Sequence, residues 1–211
     1  MNLNLFDTSQ LQLAAGAIVL RQFAMAEERA ILSAVQDVES AAPFRHMITP
    51  GGYKMSVAMT NCGPLGWVSD RKGYRYDPID PVSNLPWPLM PDAFHRLATG
   101  AASEAGFPTF LPDACLVNCY QPGAKLSLHQ DKDEKDYGQP IVSVSLGLPA
   151  VFLFGGLKRS DKTTRVDLAH GDVVVWGGDA RLRYHGVLPL KEGTHPLVGS
   201  YRINLTFRKA A

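Results

Sequence analysis

The stretch 202-RINLTFR-208, near the C-terminus, alternates in the way expected of a β-strand with two unlike faces. Because successive side chains of a strand point to opposite sides, Ile203, Leu205 and Phe207 share one face, and we expect them in a core. The other face carries two arginines, an amide and a hydroxyl (Arg202, Asn204, Thr206 and Arg208). Such a face either meets solvent on an edge strand or lines a polar cleft, and the stretch alone leaves both open.

The same strand character extends through the C-terminal half of the chain. From Pro112 onward, short β-rich runs are separated by turn signals that contain glycine or proline. The runs are ACLVNCY, IVSVSLGL, AVFLF, RVDLAHGDVVVW, RYHGVL and YRINLTFR. Many short strands with frequent turns predict a sandwich or jelly roll made of two sheets.

Two amphipathic segments precede these strands. Residues 25–42 place Ile31, Val35 and Val38 on one helical stripe, and residues 91–106 begin with proline and end with glycine. Between them, a stretch rich in glycine, proline and aromatic residues predicts a loop-and-hairpin lobe outside the core. The expected fold class is therefore α+β, with N-terminal helices covering one face of a jelly-roll core.

Bulk composition describes one soluble globular domain. The chain has 211 residues, of which 45% are hydrophobic and 19% charged. The longest apolar run, residues 13–20, is too short to span a bilayer and has no basic region before it, so we expect a cytoplasmic protein without membrane association. Three cysteines without CxxC spacing favour neither a disulfide framework nor a zinc cluster, and a net charge of +1 neither supports nor excludes a nucleic-acid partner.

Two His-x-Asp tripeptides are candidate metal ligands. In a strand, His129 and Asp131 of 127-SLHQDKDE-134 would point the same way, roughly 6.6 Å apart along the chain. They would supply two ligands of a 2-His-1-carboxylate site for Fe(II), and a distant histidine such as His185 would supply the third. From local sequence alone, a surface turn explains HQD equally well. For 170-HGD-172, a tight turn before the strand VVVW is the favoured interpretation.

Two further groups of residues suggest ligands beyond a metal. If the polar face of 202-RINLTFR-208 lines a cleft, its arginines suit a dianionic small molecule, and Asn118 and Tyr120 share a face by the same parity. The stretch 67-WVSDRKGYRY-76 mixes aromatic and cationic side chains, which suits stacking on bases and contact with phosphates. A hairpin packed on the β core, with its charges in solvent, is the alternative for this stretch.

The order H-x-D, then H, then R-x-N-x-T-x-R resembles the AlkB family of Fe(II)- and 2-oxoglutarate-dependent nucleobase demethylases. The similarity continues through TPGGYKMSVAMTNCG, GYRY, QPGAKLSLHQDKDE, IVSVSLGLPAVF, FGGLKR and HGDVVVWGG, and so covers nearly the whole chain except about the first dozen residues. It implies one dioxygenase domain over residues 1–211 with a double-stranded β-helix core. About 1–90 would form the N-terminal helix and a nucleotide-recognition lid, and about 91–211 a helix and the catalytic jelly roll.

The resemblance also implies roles for individual residues. His129, Asp131 and His185 would hold Fe(II), with O2 and 2-oxoglutarate as co-substrates. Arg202 would pair with the carboxylate of 2-oxoglutarate nearer the metal and Arg208 with the farther one. The residues that would add hydrogen bonds to 2-oxoglutarate are Asn118, Tyr120 and Asn204.

For the substrate, the resemblance implies a flipped base stacked between Trp67 and His129, with Tyr74 against the backbone phosphate. The residues that would line the base pocket are Met59, Asp133 and Arg159. Adenine methylated at N1 and cytosine methylated at N3 are cationic near neutral pH, so a carboxylate and an aromatic face favour them over the neutral base.

The expected activity is oxidative demethylation of these bases, releasing formaldehyde and succinate. The expected partner is single-stranded or base-flipped DNA, or RNA, bound by a monomer. Two alternatives stay open: a 2-oxoglutarate dioxygenase acting on a substrate other than nucleic acid, and a non-catalytic nucleic-acid-binding jelly roll.

Overall fold

A computed structural model describes residues 9–211, and antiparallel strands make up most of it. Two α-helices are present in this part of the chain, α1 (Glu28–Ala41) and α2 (Asp92–Glu104), together with 3₁₀ turns at Phe23–Glu27 and Gly178–Ala180. The strands in chain order are β1 (Gln10–Ala14), β2 (Ala17–Leu20), β3 (Ala58–Cys62), β4 (Gly66–Asp70), β5 (Gly73–Asp77), β6 (Ala114–Tyr120), β7 (Leu126–His129), β8 (Ile141–Gly147), β9 (Ala150–Phe154), β10 (Thr164–Leu168), β11 (Val173–Trp176), β12 (His185–Val187) and β13 (Arg202–Arg208).

The strands form two facing sheets and one separate hairpin. The larger sheet has the order β1-β2-β11-β8-β13-β6-β3, and the smaller sheet has the order β10-β9-β12-β7. β4 and β5 pair only with each other. Apolar side chains from the inner faces of both sheets, including Phe152 and Trp176, form one core cluster. This double-sheet jelly roll with covering helices confirms the predicted fold class.

Both predicted helices are confirmed. The stripe Ile31, Val35 and Val38 of α1 is buried, and α2 buries the corresponding face. The first turn predicted for the earlier helix is a 3₁₀ turn, preceded by Gln22 in the left-handed region at φ 54°. Neither helix in residues 9–211 is long and apolar enough to cross a membrane.

β13 occupies the middle of the larger sheet, between β8 and β6. Its apolar residues face the helices, where Phe207 meets Phe94 of α2 edge to face at 5.9 Å between ring centroids. Its polar residues therefore face the smaller sheet, and all seven residues of the strand are buried. The solvent-facing edge strand is excluded, and the polar cleft is confirmed.

The prediction of a loop-and-hairpin lobe between the helices is right for β4 and β5 and wrong for β3. β3 pairs with β6 over its whole length and completes one edge of the larger sheet. Its sequence contains Asn61, which favours turns in isolation, and the polar Thr60. Here the Thr60 hydroxyl donates to the Ala42 carbonyl, and the Asn61 side chain forms hydrogen bonds with the backbone of Trp67. Tertiary contacts thus satisfy these polar groups within a buried strand.

The apolar run at residues 13–20 also belongs to the larger sheet. It forms the end of β1 and all of β2, and β2 pairs with β11. Three strands from before residue 90 therefore complete the sheet. The division of one domain into lid and core at about residue 90 stays a prediction.

Candidate active site

A cavity of about 650 Å³ lies between the two sheets and extends to the β4–β5 hairpin. Both sheets contribute to its walls. All thirteen residues singled out from the sequence line it: Met59, Trp67, Tyr74, Asn118, Tyr120, His129, Asp131, Asp133, Arg159, His185, Arg202, Asn204 and Arg208. The sequence therefore predicted a set of residues that the fold gathers around one space.

Three of these residues form a compact set of metal-ligating groups. His129 ends β7 and His185 begins β12, and the two residues are direct cross-strand partners. Asp131 follows β7, with carboxylate oxygens 3.5 Å from His129 Nε2 and 3.7 Å from His185 Nε2. One ligand atom from each of the three side chains lies within 4.8 Å of the others, and residues 9–211 contain no second group of this kind.

Backbone carbonyls orient both imidazole rings of this triad. Nδ1 of His129 lies 2.9 Å from the Ser127 carbonyl oxygen, and Nδ1 of His185 lies 3.0 Å from that of Arg183. Because a carbonyl oxygen can only accept, each Nδ1 must be the protonated donor nitrogen. In the neutral imidazole, each Nε2 then carries a lone pair, which is the form that binds a metal.

The charges of the triad also suit a divalent metal. Burial, together with the charge of His129, lowers the pKa of His185 to about 4, so its imidazole is neutral at physiological pH. Burial alone would raise the pKa of Asp131, but the Arg208 guanidinium, the hydrogen bond to His129 and the charges of both histidines together hold that pKa well below its usual range. Burial lowers the pKa of His129, but its hydrogen bond to Asp131 and the carboxylate charge raise it overall. Two imidazoles and one carboxylate fit the facial ligand set of non-haem Fe(II).

The two arginines of β13 have different surroundings. Arg208 donates from Nη2 and Nε to Asp131 Oδ2 at 2.9 and 3.1 Å, and so lies beside the metal ligands. Arg202 instead bonds Ser145 through Nη2 at 2.9 Å and stacks on Tyr120, with Cζ 4.9 Å from the ring centroid. Of these two arginines, only Arg208 contacts the triad, and which carboxylate each would bind stays a prediction.

Arg202 has unused hydrogen-bonding capacity. It is 1% exposed, yet Nε and Nη1 have no hydrogen-bond partner in residues 9–211. A buried guanidinium without an anion is costly, and burial lowers the pKa of this group. The forked shape of the guanidinium matches a carboxylate. This arginine fits one carboxylate of 2-oxoglutarate.

Asn118 and Asn204 line the cavity beside Arg202. They are cross-strand partners on β6 and β13, joined by a 3.2 Å hydrogen bond from Asn118 Nδ2 to Asn204 Oδ1. Asn204 Nδ2 in turn donates to Ser143 Oγ at 2.8 Å. The amides are held in place by these bonds.

The outer part of the cavity is built by the hairpin and the segment after the triad. Trp67 of β4 donates from Nε1 to Asp133 Oδ2 at 2.9 Å, and its ring stacks on Tyr74 with 5.5 Å between centroids. Met59 of β3 is buried in the wall, whereas Arg159 is exposed at the rim. An indole and a carboxylate thus lie side by side at the entrance.

Glu134 and Arg181, which the sequence did not single out, connect these parts together with Tyr76 of the aromatic and cationic stretch. Glu134 is buried and accepts hydrogen bonds from Tyr76 of β5 at 2.5 Å and from Arg181 at 2.9 Å. Its other contact is Arg208 Nε, at 3.3 Å. Glu134 could have been suspected from its place in 127-SLHQDKDE-134, but nothing in the local sequence of Arg181 indicates this role.

The second His-x-Asp tripeptide lies outside the cavity, as predicted. Gly171 has φ +87°, and β11 begins two residues later. His170 accepts a hydrogen bond from the Gly147 amide at Nδ1, and its Nε2 lies 2.7 Å from Glu28. Asp172 accepts three hydrogen bonds, from Arg21 and from two backbone amides. This tripeptide is a structural turn.

A jelly roll whose cavity contains two histidines, a carboxylate and a buried arginine with two unpaired donors defines a non-haem iron, 2-oxoglutarate-dependent oxygenase. The sequence profile of the 2OG-Fe(II) oxygenase superfamily matches residues 16–208. The chain is 63% identical over 201 residues to "Alpha-ketoglutarate-dependent dioxygenase AlkB" of Escherichia coli (strain K12), covering 95% of this chain and 93% of that protein. The chain therefore belongs to the AlkB family of these oxygenases, which confirms the resemblance, the enzyme class and the requirement for Fe(II), 2-oxoglutarate and O2.

Two more distant relatives agree with this assignment. The "Alpha-ketoglutarate-dependent dioxygenase AlkB homolog" of Caulobacter vibrioides (strain NA1000 / CB15N) is 48% identical over 184 residues, covering 87% of this chain and 82% of that protein. The solved structure titled "The structure of OsALKBH1" superposes with a TM-score of 0.84 at 31% identity, covering 95% of this chain and 99% of that one.

Proposed function

We propose that this chain repairs alkylated nucleic acid by oxidative demethylation of N1-methyladenine and N3-methylcytosine, as a cytoplasmic monomer. Its substrate would be single-stranded or base-flipped DNA, and RNA. The observation that supports this most directly is the pairing of Trp67 with Asp133 at the entrance of a cavity whose floor holds the metal-ligating triad. An aromatic face and a carboxylate together select a flat cation, which is what these methylated bases are.

In this proposal His129, Asp131 and His185 hold Fe(II) through two Nε2 atoms and a carboxylate oxygen. The bound Fe(II) would supply the O2 chemistry by which one oxygen atom hydroxylates the methyl group and the other enters succinate, formed with CO2 from 2-oxoglutarate. The Ser127 and Arg183 carbonyls keep both Nε2 lone pairs directed inward. The protein contributes orientation rather than a further reactive group.

Arg202 and Arg208 would bind the two ends of 2-oxoglutarate. Arg208 lies beside Asp131, so it would face the carboxylate nearer the metal. Arg202 lies away from the triad with two unpaired donors and would take the farther carboxylate. Asn118, Tyr120 and Asn204 line the same wall and would add hydrogen bonds.

The base would enter between Trp67 and His129 only after leaving the helical stack, because neither side chain can reach a paired base. Asp133 would favour the cationic ring, Met59 and Arg159 would complete the pocket, and Tyr74 would contact the backbone phosphate. After hydroxylation, the N–CH2OH bond breaks and its electron pair returns to the ring nitrogen. The hydroxyl proton is released to solvent, and the products are formaldehyde and the neutral base.

The test is turnover of an oligonucleotide carrying one N1-methyladenine or N3-methylcytosine, with Fe(II), 2-oxoglutarate and O2 supplied. We expect formaldehyde and succinate in equal amounts, and neither product in excess of background from the unmethylated oligonucleotide. A methylated nucleoside and a methyl-lysine peptide serve as competing substrates. Preferential turnover of the peptide, or no formaldehyde from metal-loaded protein, would contradict the proposal.

Matched variants test the role of the entrance carboxylate. Asp133→Asn should lower kcat/KM for the cationic bases by about tenfold, which corresponds to a loss of about 1.4 kcal/mol in the transition state. Asp136 is an exposed carboxylate in the same segment that does not line the cavity. Asp136→Asn should therefore leave kcat/KM unchanged, and equal losses in both variants would argue against selection of a cation by Asp133.

A further inference from the structure

Arg181 is a buried arginine outside the set of residues that contact metal or substrate in the proposal above. It is 2% exposed, and each of its three nitrogens donates to a different acceptor. Nη1 donates to the Asp131 carbonyl at 2.7 Å, Nη2 to Glu134 Oε2 at 2.9 Å, and Nε to the Gln139 carbonyl at 3.0 Å. One side chain thus fixes the start, middle and end of segment 131–139.

This segment begins with a metal ligand, and Arg181 itself lies four residues before another one. A second bond joins the same two parts of the chain, because Gln130 Nε2 donates to the Leu182 carbonyl at 2.6 Å. The ligand His185 is oriented by the carbonyl of the residue that follows Leu182. The positions of Asp131 and His185 relative to each other therefore depend on contacts made by Arg181 and its neighbour.

Arg181 is also one of the two cationic partners of the buried Glu134 carboxylate. The Glu134 carboxylate lies between two guanidinium groups, with Oε2 on Arg181 and Oε1 3.3 Å from Arg208 Nε. Arg208 in turn binds Asp131. Without Arg181, Glu134 would keep only Arg208 as a cationic partner and would draw it away from Asp131, since a buried carboxylate requires compensation.

We propose that Arg181 is a positioning residue that holds Asp131 and Arg208 in the geometry that binds Fe(II) and 2-oxoglutarate, without touching either. The inference rests on the metal ligands and co-substrate contacts proposed above, and it does not depend on which substrate is oxidised. This role requires the planar, forked guanidinium group of arginine, because the three acceptors lie on three different residues. A lysine ammonium keeps the charge but radiates its donors from one atom, so it cannot reach all three acceptors.

An exposed aromatic residue that contacts Arg181 provides a second way to disturb its guanidinium group. Tyr137 covers Arg181, with Cζ 5.5 Å from its ring centroid, and its hydroxyl donates to the Lys132 carbonyl at 2.8 Å. The Tyr137 side chain is exposed, so its removal leaves the core intact. Tyr137→Leu should therefore loosen Arg181 and segment 131–139 without unfolding the protein.

The matched control is Arg45, which makes the same kinds of contact elsewhere. Its guanidinium is bidentate to Asp80 at 2.8 and 2.5 Å and lies 5.2 Å from the centroid of Trp87. Arg45 does not line the cavity. Arg45→Lys thus measures the general cost of losing a forked arginine pair with an aromatic neighbour.

The experiment is anaerobic titration of Fe(II) into wild type, Arg181→Lys, Arg45→Lys and Tyr137→Leu in the presence of 2-oxoglutarate. The absorbance of the iron–2-oxoglutarate complex is followed, and thermal unfolding of each metal-free protein is measured alongside. Arg181→Lys should raise the Fe(II) dissociation constant by about 10- to 100-fold, the range found when partners of metal ligands are lost. Arg45→Lys should change it less than about twofold while losing comparable thermal stability.

Wild-type Fe(II) and 2-oxoglutarate affinities in folded Arg181→Lys would overturn the inference and leave Arg181 a purely structural role. If Arg181→Lys does not fold, Tyr137→Leu decides, and an unchanged Fe(II) dissociation constant in that variant overturns the inference. Absence of the absorbance from wild type would instead contradict the proposed metal and co-substrate site itself.

Discussion

The chain contains the pattern His-x-Asp twice, and the two copies differ in which hydrogen-bonding groups remain free. In 129-HQD-131 both side chains line the cavity, where a backbone carbonyl engages Nδ1 of His129 but not Nε2, and Arg208 engages Oδ2 of Asp131 but not Oδ1. In 170-HGD-172 both nitrogens of His170 are engaged, and Asp172 accepts three hydrogen bonds from the protein. Identical spacing therefore produces a metal-binding pair in one place and a structural turn in the other.

The difference shows that free lone pairs, rather than spacing, distinguish a site from a scaffold. A group whose bonds are completed within the protein stabilises the fold and has no capacity left for a ligand. A buried group with unpaired donors or acceptors lowers stability until a ligand arrives. Substitutions in the two regions should therefore have opposite effects on ligand binding and on stability.

The largest expected effect separates His129→Ala from His170→Ala. Loss of a metal ligand should reduce turnover on the order of 1000-fold, since metal activation supplies several kcal/mol of the catalysis. His170→Ala should keep turnover near wild type but lower the free energy of unfolding by about 1–3 kcal/mol, because it leaves the buried Gly147 amide without its acceptor. Succinate release and denaturant unfolding of the metal-free proteins measure the two quantities. Comparable turnover in the two variants would contradict the assignment of metal binding to His129 and of a structural role to His170.

The second-largest expected effect compares Arg202, which lines the cavity, with Arg21, which binds Asp172 of the structural turn. Arg202→Met should weaken 2-oxoglutarate binding on the order of 100-fold, since loss of one partner of a buried charge pair costs 2–5 kcal/mol. The metal-free variant should be as stable as wild type or more stable, because two unpaired buried donors disappear. Arg21, whose Nη1 is bonded to Asp172 and to the Asp167 carbonyl, supplies the control.

Arg21→Met should lose stability and keep its affinity for 2-oxoglutarate. Equilibrium titration of 2-oxoglutarate into the Fe(II)-loaded proteins, paired with thermal unfolding without ligand, gives both quantities. A destabilised Arg202→Met variant would mean that this guanidinium serves the fold rather than the co-substrate.

The third effect concerns stability alone. Asp172→Asn should lower the free energy of unfolding by about 2–3 kcal/mol, because Asp172 is 1% exposed and accepts a charged hydrogen bond from Arg21. For a chain of this size, that corresponds to a fall in Tm of about 5–10 °C. Calorimetry of the metal-free protein measures it, and the Fe(II) and 2-oxoglutarate absorbance of the folded variant should be unchanged. A loss of that absorbance at temperatures where the variant is folded would contradict a structural role for HGD.

How much of the fold could be predicted depends on whether local pattern and tertiary position agree. β13 and β6 were recognisable because alternation and β-branched residues mark them in isolation. β3 was missed because it lies in a stretch rich in glycine and proline and contains Asn61, a turn residue whose side chain is satisfied here by the backbone of Trp67. β2 was missed because a short apolar run does not distinguish a strand from a buried helix.

The candidate site could likewise be predicted only in part. Parity along β13 correctly predicted which side chains share the cavity, but it contains no information on which end of the strand lies near the metal. Only the structure reveals that Arg208 contacts Asp131, because that contact depends on the position of Asp131 beyond β7. The network of Glu134 and Arg181 spans 47 positions and leaves no periodic signal, so only the structure reveals it.

The smallest expected effect is a pH dependence of protein stability that arises beside the structural turn 170-HGD-172. His195 stacks on His170 with 4.2 Å between ring centroids, and burial followed by the charge of His170 lowers the pKa of His195, although Glu28 opposes this. A histidine whose folded pKa is depressed binds fewer protons folded than unfolded, so stability is lost as the pH falls through the ordinary histidine pKa of about 6.5.

His195→Gln removes this contribution. The fall in Tm of the metal-free protein between about pH 7.5 and about pH 5.5 should therefore be smaller in the variant than in wild type, with matched ionic strength. An equal fall in both proteins would show that the stacked pair does not contribute to the acid sensitivity of the fold.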